Sequence, residues 1–323
     1  MKTKNQIVNF FLSLIAVALI ATGCKKNEET ITASNSDEET AQQMVNANDE
    51  SRVAEENDQI IDEINQVSVN NSRFCGPHIH PILSGHLPCN TTIDSSMASQ
   101  GRITITFNGN NCFGNRMRSG SITLQLPYDG ATNTVTPWSD AGCMLTVTFN
   151  AVAITRLNDN KSIVYNGTRY ITNVNGGLVD DATDFTTPIV HHITGIMQIT
   201  FNNSTTRTWN IDRTRTINRA NSVTTITITG NASQGGYSNV SIWGINRQGN
   251  TFYITIPTSV VLSSACDYHA MSGVRVHHGV IRELTVTYGV DASGNPVTSG
   301  CPYGYKLYWI GRNGNPHQVV ISY

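Results

Sequence analysis

Ile103-Thr104-Ile105-Thr106-Phe107-Asn108 alternates apolar and polar side chains with a period of two. The same design returns at Leu145-Thr146-Val147-Thr148-Phe149-Asn150, at Met197-Gln198-Ile199-Thr200-Phe201-Asn202 and at Leu284-Thr285-Val286-Thr287-Tyr288-Gly289. Successive side chains of an extended chain point to opposite faces. Each stretch therefore places Ile, Leu, Val, Met and aromatic residues on one side and mainly threonine on the other. That is the pattern of a half-buried strand, and the closing Asn or Gly lets the chain turn.

Working outward, further strands are expected over 121–126, 163–172, 206–217, 223–229, 240–245, 251–256, 303–310 and 318–323. Two hairpins follow from their turn chemistry: Trp243 to Ile256 through Arg247-Gln248-Gly249-Asn250, and Tyr305 to Tyr323 through Arg312-Asn313-Gly314-Asn315. Asn-Gly tolerates the positive φ that a tight hairpin turn demands. No helical periodicity follows Ser72, and strands do not alternate with helices. The expected fold is all-β, an antiparallel sandwich or related two-sheet fold over 73–323, as one domain or two subdomains. The strand spacing is too irregular for a propeller or solenoid.

The N-terminal part is different in kind. Lys2 and Lys4 precede a largely apolar run from Ile7 to Ile20, which ends in Ala21-Thr22-Gly23-Cys24. This order describes a secretory signal, and the apolar run is too short for a transmembrane helix. Ile20-Ala21-Thr22-Gly23-Cys24 also resembles the lipobox of bacterial lipoproteins, although Ala21 stands where leucine is usual. The resemblance implies cleavage after Gly23 and acylation of Cys24, with the membrane as a partner through the lipid. Residues 24–50 read as an acidic disordered tether. Val53, Ile60, Ile61, Ile64 and Val67 recur at helical intervals and predict an amphipathic helix over 51–67. Of the chain's 23 acidic residues, 12 fall between Cys24 and Ser72. Beyond Arg73 the balance is mildly basic, and Glu283 is the only glutamate. Cys24-Lys25-Lys26-Asn27-Glu28-Glu29 is similar to the lysine-plus-acidic address of surface-exported Bacteroidetes lipoproteins. A surface address and a plain solvated tether both stay open on these residues.

Phe107-Asn108-Gly109, Cys112, Asn115-Arg116-Met117-Arg118-Ser119-Gly120, Gly167-Thr168-Arg169-Tyr170-Ile171-Thr172-Asn173, Arg213-Thr214-Arg215-Thr216, Cys266, Ser272-Gly273 and Thr285-Val286-Thr287-Tyr288-Gly289 are spread over residues 101–323. Together they resemble the motifs of a family of uncharacterised Bacteroidetes cell-envelope lipoproteins. Thr106 stands where that family usually has an acidic residue. The resemblance implies location in the outer membrane and an all-β fold with cysteines. It implies no chemistry.

Cys75, Cys89, Cys112, Cys143, Cys266 and Cys301 remain after Cys24. An even number in an exported chain suggests disulfides. Cys75–Cys89 is the first expectation, because the two flank a Pro/Gly-rich loop. Cys112–Cys143 and Cys266–Cys301 follow from order along the chain.

Candidate chemistry is sparse. His78 and His80 lie between prolines near His86, and read as a loop rather than a metal site. The pairs His191-His192 and His277-His278 would point their rings to opposite faces of a strand. Asp180, Asp181 and Asp184 form an acidic cluster without EF-hand spacing, best read as a solvated loop. There is no Gly-x-Ser-x-Gly elbow, no His-Glu-x-x-His helix and no phosphate loop. Arg116, Arg118, Arg169, Arg207, Arg213, Arg215 and Arg219 are the remaining oddity. A guanidinium row can bind anions or acidic glycans, but edge-strand charge that blocks aggregation is the preferred reading. Trp138, Trp209, Trp243 and Trp309 are expected mostly in the core. The sequence thus points to a non-enzymatic, lipid-anchored envelope protein with a binding or structural role toward an envelope protein or glycan. No cofactor, catalytic residue, metal ligand or nucleic-acid partner is expected. The alternative is a surface-anchored carbohydrate-active or proteolytic enzyme.

Overall fold

Threonine alternating with large apolar residues does build strands, from Thr91 to Ser322. The computed structural model describes residues 60, 64, 88–112, 114–158, 160–179, 184–279, 283–311 and 314–323. The strands are β1 (Thr91–Asp94), β2 (Arg102–Asn110), β3 (Arg116–Gln125), β4 (Tyr128–Asp129), β5 (Thr134–Val135), β6 (Cys143–Arg156), β7 (Ser162–Asn173), β8 (Ile189–Phe201), β9 (Thr206–Ala220), β10 (Val223–Gly230), β11 (Ala232–Gln234), β12 (Tyr237–Ile245), β13 (Thr251–Ser263), β14 (Ala270–His278), β15 (Leu284–Val290), β16 (Gly304–Ile310) and β17 (Pro316–Ser322).

The fold is all-β, and every strand pair of the main sheet is antiparallel. Fifteen strands join this sheet, in the order β1-β2-β3-β6-β7-β8-β9-β10-β13-β14-β15-β16-β17 with β11 and β12 attached alongside; β4 and β5 form a separate two-stranded sheet. The topology is a meander, in which neighbours in sequence are mostly neighbours in space. One exception is instructive. Between β9 and β13 a single slot is shared: β10 pairs Arg213–Ala220 of β9, and β12 pairs Thr208–Ile211. The β11–β12 hairpin loops out where the two meet.

Register converts the sequence alternation into two distinct faces. On the inner face Phe149, Gly167, Met197, Trp209, Gly244 and Phe252 lie side by side across six strands. Outer neighbours such as Thr148, Thr168 and Asn210 are only half-buried. Ile60 and Ile64 are helical, nearly fully buried, and belong to the same apolar cluster as Phe149, Ile193 and Trp209. They fall within the span 51–67 expected as an amphipathic helix, whose other residues lie outside the described ones. A second cluster gathers Ile189, Ile217, Ile226, Ile228, Ile256 and Val260, and a third Leu284, Val286, Leu307 and Trp309. All these residues lie within one compact unit, Glu39–Tyr323.

Both expected hairpins form, as β12–β13 and β16–β17. The strand β14 was not anticipated. Its inner positions carry Arg275 and His277, both buried, whereas Val274 and Val276 face outward half-buried. This polarity is the reverse of what a half-buried strand normally displays.

Candidate functional site

The arginines occupy the interior. Arg118, Arg169, Arg207, Arg213, Arg215 and Arg275 are buried, and Arg169, Arg213 and Arg215 rank with the largest fully buried side chains. This overturns the reading of the row as edge-strand charge, because β7 and β9 lie in the middle of the sheet with strands on both sides. Alternation still holds. Arg207, Arg213 and Arg215 share a parity with Trp209 and Ile211, so all point inward. Arg116 and Arg219 are only half-buried.

Aromatic rings take up part of the desolvation. The Arg169 guanidinium lies 5.1 Å from the ring centroids of both Phe149 and Trp209. Arg118 lies over Phe107 at 4.7 Å, Arg207 over Phe252 at 4.1 Å and Arg275 over Tyr288 at 5.5 Å. Desolvated cation–π contacts contribute about 2 kcal/mol each. The β8 neighbour of Arg169 is Gly195, where a Cβ would collide with the Thr168 carbonyl and the Arg169 backbone. None of the six arginines is without a partner. Chemically, such a wall grips carboxylate, phosphate or sulfate through paired N–H donors.

One row of that wall reads Cys143, Asn173, His191, Arg215, Ile228 and Val260, all buried. Asn173 donates to the carbonyls of Trp138 and Gly177 at 2.9 and 2.8 Å. His191 packs against Trp138, with centroids 5.2 Å apart, and neither ring nitrogen has a hydrogen-bond partner among the described residues. Burial, aided by the charge of Arg215, pushes its pKa down to about 3. His191 is therefore a neutral imidazole in the folded protein. Cys143 is a free thiol, pushed up to about 11 by burial and by Asp140, and donates to the Thr136 carbonyl.

A second cluster lies on the outer face beneath the β11–β12 hairpin. Tyr237 stacks on His278 at 3.9 Å, and a Cβ at Gly235 would run into the Tyr253 ring. His278 Nδ1 is 3.1 Å from a Glu283 oxygen, and its Nε2 is 3.1 Å from Thr255 Oγ1. Burial lowers the His278 pKa, against the opposing pull of Glu283. The hairpin tip, Ser233 to Ser238, borders an open depression. Along the same face, Thr104, Thr123, Thr148, Thr168, Ile196, Asn210, Trp243 and Tyr253 form one cross-strand row. Ile196 is 64% exposed and Trp243 half-buried, whereas Trp138, Trp209 and Trp309 are core.

The cysteines correct two expected pairings. Cys89 bonds Cys112, and Cys266 bonds Cys301 as expected. Cys112–Cys143 is ruled out by direction. Cys112 lies in the β2–β3 turn, near the end of β6 where Arg156 faces Arg116, and Cys143 starts the opposite end. At about 3.3 Å per residue those ends are roughly 40 Å apart. Cys89 precedes β1, whose Thr91 pairs Phe107, and so reaches Cys112 instead of Cys75. Asp184 accepts from the backbone N–H groups of Asn221 and Ser222, which bears out its reading as a loop residue. Cys24, Cys75, His78, His80, His86, Asp180 and Asp181 lie outside the described residues.

Among the described residues, no group of three His, Cys, Asp or Glu is placed to hold a metal ion. Sequence reasoning missed Arg275, the burial of His277, and the Thr255–His278–Glu283 link. The first two were hidden by the inverted polarity of β14, and the third spans two strands and a loop. In comparisons with known proteins, no family model, curated protein or solved structure matches this chain.

Proposed function

We propose that this chain is a non-enzymatic, lipid-anchored protein of the bacterial outer membrane whose sheet binds a partner through its outer face. The anchoring part rests on the lipobox-like stretch ending at Cys24. Two disulfides, Cys89–Cys112 and Cys266–Cys301, accord with an oxidising compartment. Cys24→Ala is expected to abolish metabolic labelling by palmitate; a labelled variant sinks the anchor.

The observation that carries the binding role is the outer row from Thr104 to Tyr253. It crosses eight strands, about 34 Å at the usual strand spacing. Hydroxyls at one end give way to an exposed isoleucine, an amide and aromatic rings at the other. A flat row of that composition suits an extended glycan, which needs hydrogen bonds along its edge and an aromatic face to stack on. The test is a glycan array with the chain from residue 24 carrying Cys24→Ala. Trp243→Ala is expected to weaken binding at least tenfold, since about 1.4 kcal/mol is a factor of ten. An array with no hits, or hits indifferent to Trp243, removes the glycan reading.

One observation favours the enzyme reading instead. Thr255, His278 and Glu283 are linked in the order hydroxyl, imidazole, carboxylate, which is the arrangement that activates a hydroxyl nucleophile. Thr255 is buried, which opposes its use as a nucleophile. Covalent labelling of Thr255 by a phosphonylating probe would establish this reading in place of the first.

A further inference from the structure

Asn173 on β7 and His191 on β8 are direct cross-strand partners on the inner face, 0% and 1% exposed. Asn173 Oδ1 and both ring nitrogens of His191 are buried and make no hydrogen bond among the described residues. The other end of the amide fixes its orientation. Asn173 Nδ2 donates to the carbonyls of Trp138 and Gly177, and a flipped amide would set oxygen against both. A buried polar group without a partner costs free energy, and native proteins rarely leave one unmet. Here such groups sit on opposed residues, whose Cβ atoms are about 5 Å apart in a paired sheet. One small molecule can meet both.

Chemistry selects that molecule. An amide oxygen only accepts, so Oδ1 repels an anion. The charge of Arg215, the β9 partner of His191, already opposes protonation of the imidazole and disfavours a cation in the same place. A neutral imidazole has one nitrogen that donates and one that accepts. The ligand must therefore be neutral, donate to Oδ1 and share a hydrogen bond with the ring. We propose that Asn173 and His191 hold one internal water molecule, sealed behind Trp138. The seal is the segment that leads into β6. Trp138 is buried, its ring packs on His191 and its carbonyl accepts from Asn173. On either side of it, the Thr136 carbonyl accepts from the Cys143 thiol and the Ser139 carbonyl from the Gly177 amide. The water completes a polar layer between this segment and the β7–β8 pair, and it is independent of any partner on the outer face.

The test uses the chain from residue 24 with Cys24→Ala. Water-selected nuclear Overhauser spectra are expected to show a cross-peak between water and the His191 ring protons, with the sign of a bound rather than a diffusing water. Oxygen-17 relaxation dispersion of the solvent counts long-lived internal waters. His191→Phe keeps a ring against Trp138 but has no nitrogen, and is expected to lower that count by about one. If this variant fails to fold, the Overhauser spectrum of the unaltered protein decides alone. A count that His191→Phe leaves unchanged, or a His191 ring without a water cross-peak, overturns the proposal.

Discussion

Strand β9 carries both faces of the sheet, and the two differ in a way that hydropathy does not capture. Its inward residues are Arg207, Trp209, Ile211, Arg213, Arg215 and Ile217; its outward residues are Thr208, Asn210, Asp212, Thr214, Thr216 and Asn218. Polarity does not separate them, since each face has charge. Length does: long or wide side chains go inward, and short hydrogen-bonding ones go outward. The outer set bonds locally. Asp212 accepts from His192 at 2.8 Å and from Asn231 at 3.3 Å, and Thr208 accepts from the Ile245 amide. The inner set relies on burial and on contacts between guanidinium groups and aromatic rings. Two currencies of stability therefore run along one strand, and each face should answer to a different kind of perturbation.

The largest contrast should come from tryptophan. Trp209 faces in with no exposed surface, touches the Arg169 guanidinium and belongs to the main apolar cluster. Trp243 faces out on β12, only two strands from Ile196. Trp209→Ala is expected to cost about 3–5 kcal/mol in equilibrium denaturation, the usual loss for a large buried aromatic plus the cavity it leaves. The loss of a cation–π partner for Arg169 adds to it. Trp243→Ala should cost less than about 1 kcal/mol, as for other surface sites. Comparable losses from the two would mean that the outer face is itself covered, and would take the proposed binding row with it.

Much of this architecture was legible in the residues. The Thr-x-Thr alternation places the strands because period two is a geometric property of extended chain. The Gly249 hairpin followed from its turn chemistry. What stayed hidden has a common cause. Buried arginine is rare without a partner, so Arg169 and Arg213 read as surface from their type alone, although parity with Ile171 on β7, and with Trp209 and Ile211 on β9, already assigned them inward. The same prejudice concealed β14, where Arg275 and His277 face in. Pairing Cys89 with Cys112 needed the β1–β2 register, and β1 is only four residues long. The Thr255–His278–Glu283 link depends on the β13–β14 register, which sets Tyr253 opposite His278 and Thr255 opposite Val276 and which no local pattern encodes.

The adjacent residues His191 and His192 sharpen the comparison, since one strand sends them to opposite faces. His192 faces out to Asp212, whereas His191 is buried beside Trp138 and Arg215. Burial and the Arg215 charge hold the His191 pKa at about 3 in the folded state, against about 6.5 in an unfolded chain. Above pH 6.5 the imidazole is neutral in both states and contributes no pH dependence. Below it the unfolded chain binds a proton that the folded chain refuses, so stability falls as pH drops, by about 1.4 kcal/mol per pH unit, until the folded pKa is reached. His191→Gln removes this term without introducing a charge. The wild-type protein should therefore lose about 3 kcal/mol more than the variant between pH 7 and pH 4 in urea denaturation. Carboxylates titrate in the same window, but they are common to both proteins and cancel in the difference. Parallel stability curves would show that a proton does reach His191 in the folded state, and that the inner wall at Arg215 is open to water rather than sealed.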